Sequence, residues 1–370
     1  MASDESFQQQ FPWTVAPLIC CAPMREVTGP ALAVATSAGG GLGFIAAGND
    51  VSNLEAKFRE AQRLVALETS RQNTSQTDPF ARHTSAQLPV GVGFLNWGAD
   101  IDVAVPLIVK YRPVAVWLFA PRDSALDLRT WVTRIRSEVE GRTSIWVQVG
   151  DIEDAADAVT HLDPDVLVLQ GADGGGHGLA ASASILSLVP EMVDLLAASK
   201  LTGGHKFHVP KIVAAGGLVD GRGVAAALTL GAEGVAMGTR FLASFESEAS
   251  KEYLKAVIEA KNGGKTTIRS PIFDTARGIG LWPRKYGPRG VINQTYKELS
   301  GGKATIPEIY ERYQTDLHGS SVKYGPEGRI ATLVGTSVGL VREALPAAEI
   351  VRRVQKQTAM ILSPPYAPRL

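Results

Sequence analysis

The sequence predicts an α/β protein of the (β/α)8, or TIM-barrel, class. Eight short apolar runs alternate with helical patterns within about 240 residues, the usual size of such a barrel. The runs are almost continuously apolar, which is typical of parallel strands covered on both faces. Glycines and one histidine follow the ends of several runs, where barrels of this class place their active sites. An open, doubly wound sheet is the competing architecture, but the count of eight and the glycines after the late runs favour the barrel.

The predicted elements alternate regularly up to residue 244. The predicted strands cover residues 16–23, 42–48, 88–94, 114–119, 144–149, 165–170, 211–217 and 234–238. Apolar residues at helical spacing predict helices between them, and the clearest cover 51–71, 154–162 and 221–231. The rhythm breaks over residues 245–328, which hold a Gly-, Pro- and basic-rich stretch between two helical patterns. We therefore predict a barrel formed by residues 14–244 together with 329–370, and an inserted, mainly helical lid over 245–328.

Composition argues against several classes of partner. The chain has 370 residues and a formal net charge of zero, so we expect no nucleic-acid partner. No apolar run reaches the ~18 residues that span a membrane, and the acidic N-terminus is not a secretory signal. Cys20 and Cys21 are neighbours on a predicted strand and should point to opposite faces, which predicts no disulfide framework and a cytoplasmic location. The final "PRL" resembles a peroxisomal tail only weakly. The oligomeric state is left open.

The turns after the seventh and eighth strands predict a phosphate site. They read "AAGGLVDGRG" and "AMGTRF", and supply Gly216, Gly217, Gly238 and the hydroxyl of Thr239. Barrels often bind phosphate with these two loops, because glycine amides can approach and donate to phosphate oxygens. Alternatively the glycine pair merely turns the chain. The occurrence of "GG" and "GT" after consecutive strands favours the phosphate site.

The stretch "QGADGGGHG" follows the sixth strand and presents His177 among glycines. Glycines let the backbone lie close to a ligand, and imidazole can accept a proton near neutral pH. A mobile turn with an incidental histidine is the alternative. Together with the phosphate turns and the apolar residues after the first strand, the pattern indicates a mononucleotide cofactor, for which flavin is usual. His205 and His208 are three residues apart, but no carboxylate or cysteine completes a metal site, and we predict none.

Four segments together resemble the nitronate monooxygenase family, formerly called 2-nitropropane dioxygenases. They are "APMREVTGPALAVATSAGGGLGFIAAG", "QGADGGGHG", "AAGGLVDGRGVAAALTLGAEGVAMGTRFLAS" and, more weakly, "VGTSVGLV". The resemblance implies an FMN enzyme on a (β/α)8 barrel that oxidises alkyl nitronates with O2, and it leaves open whether neutral nitroalkanes are substrates too. It also implies that His177 is the catalytic histidine. The cofactor-binding residues it implies are Ala22, Pro23 and Met24 as a wall for the flavin ring, Gln170 and Gly171 near that ring, and Gly175, Ala215, Gly216, Gly217, Gly238 and Thr239 around the ribityl phosphate.

Several alternatives stay open at the level of sequence. His177 could remove the α-proton of a nitroalkane, or it could only hydrogen-bond a nitronate formed in solution. A flavin-dependent enoyl-acyl carrier protein reductase shares the histidine loop and the phosphate turns. A flavin-free barrel could use the same turns to bind a phosphorylated metabolite. Trp282 and Tyr286 in the predicted lid could cover the substrate.

Overall fold

The computed structural model describes residues 6–72, 83, 86–139, 143–201, 209–280, 282–319 and 323–363. Its centre is a closed barrel of eight parallel strands, which confirms the predicted fold class. Each strand end lies within two residues of its predicted position, and β2 and β5 match at both ends. The barrel strands are β1 (Leu18–Cys21), β2 (Leu42–Gly48), β3 (Leu88–Leu95), β4 (Pro113–Phe119), β5 (Ser144–Val149), β6 (Val166–Gln170), β8 (Lys211–Ala215) and β9 (Gly234–Met237). β9 pairs with β1 and so closes the barrel.

Helices surround the barrel and also make up much of the segment after β9. Polar side chains cap the first turns of several helices: Asp151 accepts a hydrogen bond from the Asp154 amide at the start of α6, and Asp220 accepts one from the Arg222 amide at the start of α8. The helices are α1 (Phe7–Gln10), α2 (Pro30–Ala38), α3 (Leu54–Gln72), α4 (Ile101–Tyr111), α5 (Arg129–Glu138), α6 (Ile152–Leu162), α7 (Ile185–Leu201), α8 (Gly221–Thr229), α9 (Thr239–Leu242), α10 (Lys251–Glu259), α11 (Gly263–Thr266), α12 (Ile272–Arg277), α13 (Gln294–Ser300), α14 (Ile306–His318) and α15 (Ala347–Leu362). The last helix, α15, packs against α8 and α2.

Aromatic side chains fill the barrel and close its amino-terminal end. Phe44, Trp117 and Trp146 pack together inside, with ring centroids 4.9–5.8 Å apart. Phe7 in α1 packs on Trp146, and the Trp13 indole donates to the carbonyl of Gly41, just before β2. Because this end is plugged, ligand access is left to the carboxyl ends of the strands.

A second, three-stranded sheet lies over that open end. It consists of β7 (Gly176–Leu179), β11 (Tyr286–Val291) and β10 (Thr267–Arg269), in the order β10–β11–β7. The glycine-rich stretch thus contains a strand that the sequence patterns did not predict, because its partner comes from far along the chain. His177 pairs opposite Pro288 of β11. The segment 245–328 contains β10, β11 and α10–α14. Its role as a lid stays a prediction.

Candidate active site

A cavity with about 1450 Å³ of empty space, part of it open to solvent, lies at the carboxyl ends of the barrel strands. Gly171 does not line it, since this residue sits behind Gln170 and donates its amide to the Ala215 carbonyl at 2.9 Å. The structure brings all the other predicted site residues together in the cavity wall, namely Ala22, Pro23, Met24, Gln170, Gly175, His177, Ala215, Gly216, Gly217, Gly238 and Thr239.

One end of the cavity is a cradle of backbone, formed by Gly175, Gly216, Gly217, Gly238 and Thr239. Gly216 and Gly217 have φ angles of 100° and 77°, in the region that favours glycine. A Cβ on Gly175 would lie 2.4 Å from the carbonyl carbon of Val334, so a side chain there would push these two backbone segments apart. This end can therefore hold a group that needs close approach of main-chain amides, such as a phosphate.

The segment around Gly335 completes the cradle. Its amide donates to the hydroxyl oxygen of Thr239 at 3.0 Å, and Thr336 bonds to Asp173 through both its amide and its hydroxyl. Ser337 also lines the cavity. The weakest of the quoted motifs, "VGTSVGLV", therefore lies at the site, although sequence reasoning assigned none of its residues a role.

A flat wall follows β1. The hydroxyl of Thr28 donates to the Ala22 carbonyl at 2.9 Å and accepts from the Met24 amide at 3.2 Å, which holds the turn between them. A Cβ on Gly93 would come within 2.4 Å of the Pro23 ring, so β3 packs tightly behind that proline. The turn is thus fixed from two sides and presents Pro23 and Met24 to the cavity.

A series of hydrogen bonds runs from the barrel interior to β7, the strand that contains His177. The Trp117 indole donates to Gln148 at 2.8 Å, Gln148 donates to Gln170 at 2.9 Å, and Gln170 donates to the carbonyl of His177 at 3.1 Å. An indole N–H can only donate, so Trp117 sets the direction of both side-chain amides. These hydrogen bonds connect β4, β5 and β6 to the backbone that carries His177.

The His177 imidazole also lines the cavity, and it lies beside two side chains of the segment 245–328. Its Nε2 is 2.8 Å from Oδ2 of Asp274, and its ring stacks on Trp282 at 3.6 Å between centroids and 4° between planes. Burial lowers the pKa of His177, and the hydrogen bond and charge of Asp274 oppose that shift only in part. The ring is therefore neutral at neutral pH and able to accept a proton.

Two arginines of the second sheet hold the glycine-rich stretch. Arg269 donates to the carbonyls of Gly174 at 2.7 Å and Gly176 at 2.9 Å, and Arg289 donates to that of Ala172 at 3.2 Å. Burial, with the neighbouring charge of Arg289, lowers the pKa of Arg269 to about 10, so the guanidinium stays charged at neutral pH. The Arg269 guanidinium thus supplies hydrogen bonds to the carbonyls of Gly174 and Gly176. Gly178 leaves room for this side chain, because a Cβ there would lie 3.1 Å from Arg269 Nη1.

Sequence reasoning missed Asp274, Arg269, Arg277 and Gln148. Arg277 and Gln148 line the cavity, whereas Asp274 and Arg269 act on residues that do. Of the predicted covering aromatics, Trp282 lines the cavity and Tyr286 packs behind it at 6.0 Å between ring centroids. No local motif marks the missed residues, because their partners lie far away in the chain.

The described residues contain neither a cluster of metal ligands nor a membrane-spanning helix. No group of three or more His, Cys, Asp or Glu side chains there is arranged to hold a metal ion. Within the same residues, no helix has the length and apolar character to cross a membrane. His205, His208 and the C-terminal "PRL" lie outside the described residues.

Comparison with known proteins points to one family. The family described as nitronate monooxygenase matches residues 10–354. The nitronate monooxygenase npaC of Metarhizium robertsii is 43% identical over 361 residues, which cover 97% of this chain and 96% of that protein. A nitronate monooxygenase of Neurospora crassa is 33% identical over 94% of this chain and 90% of its own length.

Solved structures share the fold at lower identity. A nitroalkane oxidase from Streptomyces ansochromogenes superimposes with a TM-score of 0.67 and 22% identity, over 93% of this chain and 96% of that chain. FabK from Thermotoga maritima gives a TM-score of 0.66 and 22% identity, over 96% of both chains. At these identities the likeness establishes the barrel architecture alone.

Proposed function

Because this chain belongs to the nitronate monooxygenase family, and so to the flavin-dependent oxidoreductases, we propose that it uses FMN to oxidise alkyl nitronates with O2. We extend the proposal to neutral nitroalkanes, for which a base is needed. The observation that carries the proposal is that the glycine cradle and the His177 imidazole line one cavity at the carboxyl ends of the barrel strands.

The residues present fit the phosphate of a mononucleotide. Gly216, Gly217 and Gly238 leave the cradle without side chains, and the Thr239 hydroxyl keeps its proton for a ligand because its oxygen accepts from Gly335. Ala22, Pro23 and Met24 would face the ring of the cofactor, and Gln170 would lie at its edge. A bound flavin supplies the redox chemistry, while the protein supplies position and electrostatics.

His177 is suited to remove the α-proton of a nitroalkane. The carbon acid is activated because the nitro group takes up the charge that develops, and a neutral imidazole within reach can accept the proton. Burial keeps the ring neutral, as this role requires. With a preformed nitronate no proton has to be removed, and His177 would then only contact the substrate.

Arg277 adds positive charge to the same end of the cavity. Its guanidinium lines the cavity and lies 3.9 Å from Oδ1 of Asp274, a long contact for an ion pair. An anionic nitronate would be attracted to it. Trp282 and Ile279 border the same space, and we assign residues 245–328 the role of a lid that covers the substrate.

The test of this proposal is an oxygen-uptake assay with a nitroalkane and with its preformed nitronate, side by side. Both should consume O2, and acid denaturation should release FMN, identified by chromatography. Absence of uptake with either substrate would contradict the proposed reaction. Release of no flavin would support the phosphometabolite barrel instead. Rapid bleaching of the flavin by NADH or NADPH under argon would favour the enoyl reductase.

A further inference from the structure

The contact between His177 and Asp274 determines which ring nitrogen faces the cavity as a base. The Nε2–Oδ2 distance is 2.8 Å, and the two side chains are only 11% and 10% exposed. Asp274 comes from α12, in the segment 245–328, so the contact joins this segment to β7. Such a short, buried contact fixes both the orientation of the ring and the nitrogen that carries its proton.

The chemistry of the pair selects one tautomer. An ionised carboxylate can only accept hydrogen bonds, so in the neutral ring the proton must sit on Nε2. The lone pair then sits on Nδ1, and no described residue donates a hydrogen bond to that atom. Because His177 lines the cavity, Nδ1 is the nitrogen left for a ligand.

We infer that Nδ1 of His177 takes the α-proton of a nitroalkane, and that Asp274 is the positioning residue that holds the ring in the required tautomer. This inference rests on the proposed function. In the step, the C–H bond of the substrate breaks, its electron pair moves onto the nitro group to form the nitronate, and an N–H bond forms at Nδ1. Nε2 keeps its own proton and its bond to Asp274.

The surroundings of the ring favour the cation that this step produces. The carboxylate of Asp274 faces Nε2, and the Trp282 face lies parallel to the ring at 3.6 Å, where an aromatic surface attracts a cation. Two positive groups disfavour this cation, namely Arg277, which lies on α12 with Asp274, and Arg269 of β10. Nη1 of Arg277 lies 3.9 Å from Oδ1 of Asp274. This oxygen has no hydrogen-bond partner among the described residues.

The tautomer can be measured without any activity. Nitrogen NMR of the holoenzyme, labelled in its six histidines, should show His177 with an unprotonated Nδ1 and a protonated Nε2 at neutral pH, the signal being assigned by its loss in His177→Asn. A protonated Nδ1 in the neutral wild-type ring would overturn the inference. It would leave the proposed reaction standing if oxygen uptake persists.

Substitution of Asp274 then tests its role. In Asp274→Asn the amide N–H can face Nε2, so the proton moves to Nδ1 and the lone pair turns away from the substrate. We expect kcat/KM for the neutral nitroalkane to fall about 10²–10⁴-fold, the contribution of a base, while the rate with preformed nitronate changes little. The NMR signals of His177 should exchange roles. Asp274→Glu, which keeps an acceptor, should recover part of the loss, and the exposed Asp157→Asn should change neither rate.

The two substrates separate this role from a structural one. Equal losses with nitroalkane and nitronate in Asp274→Asn would mean that Asp274 only supports the fold, and an unchanged nitroalkane rate would remove it from the reaction. If wild-type protein oxidises neither substrate, the proposed function fails instead. If Asp274→Asn does not retain flavin, Asp274→Glu and the wild-type tautomer decide the matter.

Discussion

Two regions of the cavity wall, the glycine cradle and the reactive end around His177, differ in the parts of the chain that form them. The cradle consists mainly of backbone, from the turns after β8 and β9 together with Gly175 and Gly335, and its defining property is that Gly216 and Gly217 have no Cβ. The reactive end consists of side chains, and Asp274 and Trp282 come from the segment 245–328. The difference teaches that short glycine motifs can mark a cofactor site in the sequence, whereas the groups that act on the substrate are assembled by tertiary structure and carry no such mark.

The largest expected effect is at the reactive end. His177→Asn removes the proton acceptor and should lower kcat/KM for a neutral nitroalkane about 10²–10⁴-fold, with a much smaller loss for the preformed nitronate. Oxygen uptake with both substrates measures this difference. His161→Asn is the matched control, because His161 lies exposed at the end of α6. Equal losses on both substrates would mean that His177 binds the nitro group rather than taking a proton.

The next effect is at the cradle and should not distinguish substrates. Gly217→Asp forces a side chain into a φ of 77°, places its Cβ 3.0 Å from that of Asp173, and brings a carboxylate toward the phosphate. Strain and repulsion together should weaken FMN binding more than about tenfold, which requires 1.4 kcal/mol. Titration of apoprotein with FMN measures it. Gly264→Asp, at an exposed glycine where an added Cβ would contact no residue beyond its own helix and chain neighbours within 4 Å, should bind FMN normally. Full flavin content in Gly217→Asp would place the phosphate elsewhere.

These two ends also differ in how far the sequence predicts them. The cradle was predicted because glycine pairs stand directly after apolar runs, and β2 was predicted with both its ends because "LGFIAAG" is bounded by glycines and polar residues. Asp274 lies in "PIFDTARG", a short helical segment without a motif. Its partner His177 is 97 residues away, and β7 forms only because β11 pairs with it. Periodicity reports burial and local conformation, whereas these contacts depend on the path of the whole chain.

The pH dependence of the reaction should sharpen the comparison further. A base acts in its neutral form, so the nitroalkane rate should fall about tenfold per pH unit once the pH drops below the pKa of His177. Burial lowers that pKa, and the limb should therefore lie below the ordinary histidine value of about 6.5. Asp274 raises the pKa, so Asp274→Asn should move any residual limb further down. The profile of kcat/KM with nitroalkane checks this, and a limb above 6.5 would contradict a buried, neutral base.

The smallest effect concerns the hydrogen-bond chain that joins the barrel interior to the reactive end. Trp117→Phe removes the donor to Gln148, and the two glutamine amides are then free to reverse, which loosens the bond from Gln170 to the His177 carbonyl. Trp146→Phe is the matched control, since the Trp146 indole packs on Phe44, as the Trp117 indole does, but donates its hydrogen bond to Ser144.

Both substitutions should destabilise the protein by a similar amount, about 0.5–3 kcal/mol, which denaturant unfolding of each variant measures. Only Trp117→Phe should also change kcat with nitroalkane, by less than about tenfold, because one neutral hydrogen bond contributes about 1 kcal/mol. A change in kcat for Trp146→Phe of the same size would show that packing in the barrel, rather than the direction of the amides, positions the histidine.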